Sequence, residues 1–131
     1  MATFKTFEEI ESWQSARQLC KMNFDQIRTP NLSKDFALKD QMNRSCGSIM
    51  DNIAEGFGRG GNKEFILFLG YSNGSCLEFE SQLYRAMDRN YISTDEFKLM
   101  YKLADTIGKM NGGLIDYLNN SSFKGRKFKS R

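Results

Sequence analysis

At 131 residues, with 40% hydrophobic and 27% charged side chains, the chain has the balance of one soluble domain that buries a core without cross-links. It contains no histidine, which removes Ser-His-Asp and Cys-His catalysis, His-ligated zinc and the Glu-x-x-His sites of di-iron bundles. No apolar run approaches the roughly 18 residues of a membrane span, and the stretch from Met1 to Thr6 lacks an apolar signal region, so a cytoplasmic protein with no membrane role is expected.

Cys20, Cys46 and Cys76 are odd in number and form no C-x-x-C pair. They read as reduced thiols packed as small hydrophobes, which fits a reducing compartment. With no converging acidic set either, no metal or other cofactor is expected.

A single proline and the scarcity of strand-like alternation predict an all-α chain. Thr6 with Glu9 has the spacing of a capping box and predicts the start of a first helix over about 7–28. Ile10, Trp13, Cys20, Phe24 and Ile27 recur on one face of it, so Trp13 reads as core. Pro30 disfavours helical geometry in Thr29 and ends the helix.

The second helix is expected over about 35–56, with Leu38, Met42, Ser45, Cys46, Ile49 and Ile53 inward and Gly56 closing it in left-handed geometry. The third, over about 63–89, is capped by Asn62 and stopped near Asn90. Its inner positions are Phe65, Phe68, Leu69, Ser72, Cys76, Phe79, Leu83 and Ala86. Ser93 and Glu96 form a second capping box for a fourth helix over about 94–119, with Phe97, Met100, Leu103, Ile107, Met110, Leu114 and Tyr117 inward. Long helices with short connections predict an antiparallel up-down-up-down four-helix bundle.

Gly56, Gly58 and Gly61 match G-x-G-x-x-G, but the dinucleotide fingerprint requires a preceding strand. Helix periodicity precedes it here, so these glycines read as a joint between helices. Gly47, Gly70, Gly74, Gly108, Gly112 and Gly113 fall inside helices, where each costs up to about 1 kcal/mol relative to alanine. Close backbone approach between helices or subunits is the structural reading, and a ligand notch is the functional one.

Charge is split along the chain. Residues 121–131 carry Lys124, Arg126, Lys127, Lys129 and Arg131 and no acid, so a +3 protein has a body of −2. Such a tail is either a disordered solubilising terminus or a phosphate-binding arm, with Phe123 and Phe128 available to stack on bases.

Ser48-Ile49-Met50-Asp51-Asn52-Ile53-Ala54-Glu55-Gly56-Phe57-Gly58-Arg59 resembles the signature of the bacterial four-helix bundles encoded in 23S ribosomal RNA intervening sequences. Lys63 to Leu69 and Gly74 to Leu83 extend the resemblance, which spans roughly Phe7 to Leu118. Met50 stands where many members have proline, removing an expected kink. The resemblance implies an antiparallel four-helix fold, a homopentamer and, by analogy with the accessory bundle of diversity-generating retroelements, binding to nucleic acid and a reverse transcriptase.

Asn52, Glu55, Gly56, Gly58, Arg59 and Glu78 are the signature positions with an expected packing role. Asn52 and Glu55 share a helix face, and Tyr71, Ser75, Glu78, Gln82 and Arg85 form a polar stripe. These faces suit inter-helix or inter-subunit hydrogen bonds, with Arg59 partnering Glu55 or Glu78. Alternatively, Arg59 and Lys63 supply charge for phosphate beside free amides at the start of the third helix. The expected function is that of a non-enzymatic oligomeric bundle binding RNA or DNA, through Arg59, Lys63 and the five tail cations. The alternative is a protein-interaction scaffold with no nucleic-acid role.

Overall fold

The computed structural model describes residues 4–121. Four helices build it: α1 (Glu11–Ile27), α2 (Phe36–Gly58), α3 (Asn62–Asp88) and α4 (Thr94–Asn120). Short 3-10 turns at Phe7–Glu9 and Leu32–Lys34 precede α1 and α2, and no strand occurs among the described residues. α1 packs on α2 and α4, and α3 packs on the same two, which gives an all-α four-helix bundle. The five cations of the tail lie outside the described residues.

End-to-end contacts show why neighbouring helices run antiparallel. Asp35 caps the start of α2, accepting from the Leu38 amide at 3.3 Å. The same carboxylate receives Arg89 at 2.8 Å and the Tyr91 hydroxyl at 2.9 Å, beyond the end of α3. Gln26 near the end of α1 donates to Glu96 in the first turn of α4 at 3.1 Å. At the other end Asn62 donates to the Leu118 carbonyl at 3.4 Å.

Local chemistry sets the helix limits. Asn90 has φ of 59°, and the Asn90 and Tyr91 amides donate to the Met87 and Ala86 carbonyls, closing α3 in a Schellman turn. Ser93 and Glu96 form both halves of a capping box, at 3.0 and 2.8 Å. Thr6 and Glu9 do not. Glu9 accepts instead from the Lys5 amide, the Thr6 side chain caps nothing, and α1 starts only at Glu11 after the 3-10 turn.

The core contains the expected inner residues of α2, and α3 largely follows its expected stripe, whereas α4 buries Met100, Ile107 and Leu114 of its expected stripe together with Ala104, Asn111 and Leu118. Phe68, Phe97, Leu103, Met110 and Tyr117 are half-buried at the margin of the core. α1 is rotated from its expected face. Its buried residues are Ser12, Ala16, Leu19, Asn23 and Ile27, while Phe24 is 54% exposed beneath the Arg28 guanidinium at 4.4 Å. Trp13 and Cys20 are half-buried at the edge of that face.

The second correction concerns Gly56. α2 continues through it to Gly58, and Gly56 is buried. A Cβ there would stand 2.5 Å from Phe68 Cβ, so the position needs glycine for close approach of α3, not for chain reversal. The reversal belongs to Gly60, with φ of 89°, and Gly61 then leads into α3.

Candidate functional site

Small polar side chains line the contact between α2 and α3. Ser45 Oγ donates to Gln82 Oε1 at 2.6 Å, and Ser75 Oγ to Ser48 Oγ at 2.8 Å. Ser72 Oγ reaches the Ile49 carbonyl at 2.8 Å, and Asn111 of α4 donates to Ser72 Oγ and to Asn73. Gln41 accepts from Arg85 at 2.8 Å where the seam meets solvent. Hydroxyls occupy little volume and carry their own donors, so the helices close tightly with the serines satisfied, while Asn111 Oδ1 is left buried without a partner among the described residues.

Of the polar stripe read on α3, Ser75, Gln82 and Arg85 join this seam, whereas Tyr71 and Glu78 are exposed. Asn52 is half-buried and bonds within α2, donating to the Ser48 carbonyl and hydroxyl at 2.9 Å. Glu55 is exposed and pairs with Arg59 at 2.8 Å.

Arg59 also approaches Glu64 at 3.8 Å and lies 4.9 Å over the Phe68 ring. It does not reach across to Glu78. Glu64 occupies the first turn of α3, where its carboxylate complements the helix dipole. Gly56 and Gly58 are in α2 and supply no phosphate loop. Lys63 is exposed next to this cluster.

The thiols differ in environment. A hydrogen bond with the Cys46 thiol holds Cys20 below the usual thiol range, against burial and the Asp51 charge. Cys20 Sγ also lies 3.3 Å from the Cys46 carbonyl. The same thiol contact and burial push Cys46 up, and burial pushes Cys76 to about 12. Glu80 is buried beside Cys76, and desolvation followed by the Asp105 charge raises its carboxyl. Among the described residues, no three of His, Cys, Asp and Glu converge as a metal site would require.

Two surface features lie outside the expected sites. The outer face of α3 presents Leu67, Tyr71, Leu77 and Tyr84, from 49% to 68% exposed, around Gly70 and Gly74. On α1, an open groove of about 410 Å³ is lined by Trp13, Gln14, Arg17, Gln18 and Lys21. The apolar stripe assigns Trp13 to the core, but its spacing of four from Arg17 and eight from Lys21 already puts the three on one face.

A family model described as 23S rRNA-intervening sequence protein matches residues 8–113. The chain belongs to this family. The matched region covers α1, α2, α3 and α4 as far as Gly113, on both sides of the Asn52–Arg59 signature. A crystal structure of a protein with unknown function from the S23 ribosomal protein family of Bacteroides thetaiotaomicron VPI-5482 superposes with a TM-score of 0.71 at 20% identity. That likeness covers 80% of this chain and 95% of the other, and it supports the fold. No match is found among the curated proteins. No helix among the described residues is long and apolar enough to cross a membrane.

Proposed function

We propose that this family member is a non-enzymatic, self-associating bundle that binds RNA or DNA in the cytoplasm through its basic surfaces and tail. The tail carries the proposal: Lys124, Arg126, Lys127, Lys129 and Arg131 are interleaved with aromatic Phe128 on a chain whose body is net acidic. Cations of this density release counterions from phosphate, and an aromatic ring stacks on any base. Of the body cations, Lys63 is exposed, whereas Arg59 is committed to Glu55, Glu64 and Phe68.

Self-association, to the pentamer that the family resemblance implies, is supported by the apolar outer face of α3. Leu67 and Tyr71 stand four residues apart and Leu77 and Tyr84 seven, with Gly70 and Gly74 making room for a second backbone. Assembly would bring several tails together and turn weak contacts into avidity. The same face favours a second reading, a scaffold that docks a protein partner such as a reverse transcriptase without contacting nucleic acid.

Salt-dependent binding of labelled RNA and DNA to the full chain, and to a chain ending at Ser121, tests the proposal. Loss of five tail contacts should reduce the slope of log affinity against log salt by up to about 3.5 for a single strand. Negligible binding by both chains at low salt, with structured RNA as well as DNA, would sink it.

A further inference from the structure

The groove on α1 joins an aromatic ring, exposed cations and side-chain amides on one stretch of helix. Trp13, Arg17 and Lys21 succeed one another at four-residue steps, so they line one edge of α1 at a rise of about 6 Å per step. Gln14 and Gln18 repeat the same step alongside. Arg17 and Lys21 are exposed, and neither forms an ion pair among the described residues. The acid in the groove, Asp25, is paired with Arg28 at 3.3 Å and sits at its far end.

Trp13 is held for contact and not enclosed. Its indole packs edge-on against Phe7 at 5.0 Å, which fixes the ring while the residue stays half-buried and lines the groove. Gln14, which lines the groove, is anchored by its amide nitrogen to the Glu8 carbonyl at 2.8 Å, so its remaining hydrogen-bonding capacity includes the acceptor Oε1. The result is a fixed aromatic surface, two unpaired cations in line and a row of amides.

We infer that this α1 groove is a single-stranded nucleic-acid subsite, with a base against Trp13 and successive phosphates on Arg17 and Lys21. The assignment rests on the nucleic-acid reading and adds where on the folded body the strand runs. Aromatic contact is sequence-tolerant because every base has a π face, and the cations contribute affinity that salt weakens. The amides of Gln14 and Gln18 suit base edges or ribose hydroxyls. An acidic peptide would satisfy the cations and leave Trp13 without a stacking partner.

Trp13 is the only tryptophan in the chain, so its emission reports on the groove alone. Full-length protein is titrated with a labelled oligouridine, following label anisotropy and Trp13 emission together. The expected result is quenching with the same midpoint as the anisotropy change. The double variant Arg17→Ala, Lys21→Ala should bind more weakly, with its salt slope reduced by about 1.4, or about 0.7 per phosphate contact. Both positions are exposed, so circular dichroism should show an intact bundle. Anisotropy binding without quenching, or with an unchanged slope in the variant, would overturn the groove assignment and leave the nucleic-acid reading standing. Absence of any anisotropy change at low salt would overturn both. Quenching by an acidic peptide but not by oligouridine would overturn the subsite and assign the groove to protein.

Discussion

Gly56 and the pair Gly70 and Gly74 sit in the interiors of helices, yet their surroundings are opposite. At Gly56 the nearest atoms to an added Cβ are Phe68 Cβ at 2.5 Å and Phe68 Cγ at 3.3 Å. At Gly70 and Gly74 nothing lies within 4 Å. The first glycine is required by this chain's own packing, because a Cβ attached to the α3 backbone has little freedom to retreat. The other two cost helix stability and return nothing inside the monomer. The residues around them, Leu67, Tyr71 and Leu77, are apolar and exposed. The contrast separates glycine that brings two helices of one chain together from glycine that leaves a face open.

Substitution at the closed site should have the largest effect. Gly56→Ala should lower unfolding stability by about 1–3 kcal/mol, the range for forcing extra volume into a packed contact. The gain in helix propensity, up to about 1 kcal/mol, offsets part of the strain. Denaturant unfolding followed by circular dichroism measures it, and wild-type stability in the variant would show that α2 and α3 separate at this point without cost.

The open face should respond in the other direction. Gly70→Ala and Gly74→Ala should each raise the intrinsic stability of α3 by up to about 1 kcal/mol. If the face is a contact between copies, the same methyl groups hold two backbones apart and weaken assembly. The expected outcome is a smaller sedimenting species whose unfolding midpoint exceeds that of dissociated wild type. An unchanged assembly would remove this face as the contact. Gly47, Gly112 and Gly113 also meet nothing within 4 Å, and Gly108 meets only Asn73 Oδ1 at 4.0 Å. For these positions close approach within the chain does not account for glycine.

These contrasts mark what is legible in the residue pattern. The inner faces of α2 and α3 are readable because their large apolar residues repeat on one stripe, whereas α4 buries Ala104, polar Asn111 and Leu118 and leaves Phe97, Leu103, Met110 and Tyr117 half-buried. The spacing in α1 points to the wrong face because Ser12 and Asn23 are buried in it while Phe24 points outward to Arg28. Spacing treats a buried serine as polar, and it cannot see an arginine covering an exposed ring. Ser93-Glu96 and Thr6-Glu9 have the same capping spacing and the same extended backbone at the cap, yet only the former forms: an α-helix follows Ser93, whereas a three-residue 3-10 turn follows Thr6 and α1 starts only at Glu11. At the candidate sites, the pairing of Arg59 with Glu55 follows from their spacing. The engagement of Glu64 and Phe68 depends on the α2–α3 reversal at Gly60 and is not countable from α2 alone.

Glu80 offers the finest test of the border between closed and open parts of α3. It is one turn beyond Cys76 and lines a shallow pocket with Leu77, Asp105, Gly108 and Lys109. Lys109 is paired with Asp105 at 3.1 Å, and Glu80 has no ion pair among the described residues. Desolvation and the Asp105 charge raise its carboxyl pKa, so folding favours the protonated form. The stabilising contribution of that proton is fully present below the unfolded value of about 4.3, and it is lost as pH rises through the folded value. A glutamine in place of Glu80 would keep the shape and remove the charge. Glu80→Gln should therefore be more stable than wild type at pH 7, by less than the Gly56 effect, and the advantage should shrink toward zero as pH falls below about 4. Midpoints compared at the two pH values give the answer. A constant difference would mean that the amide changes packing rather than charge, and a loss of stability at pH 7 would mean that the carboxylate is held by a partner across the open face.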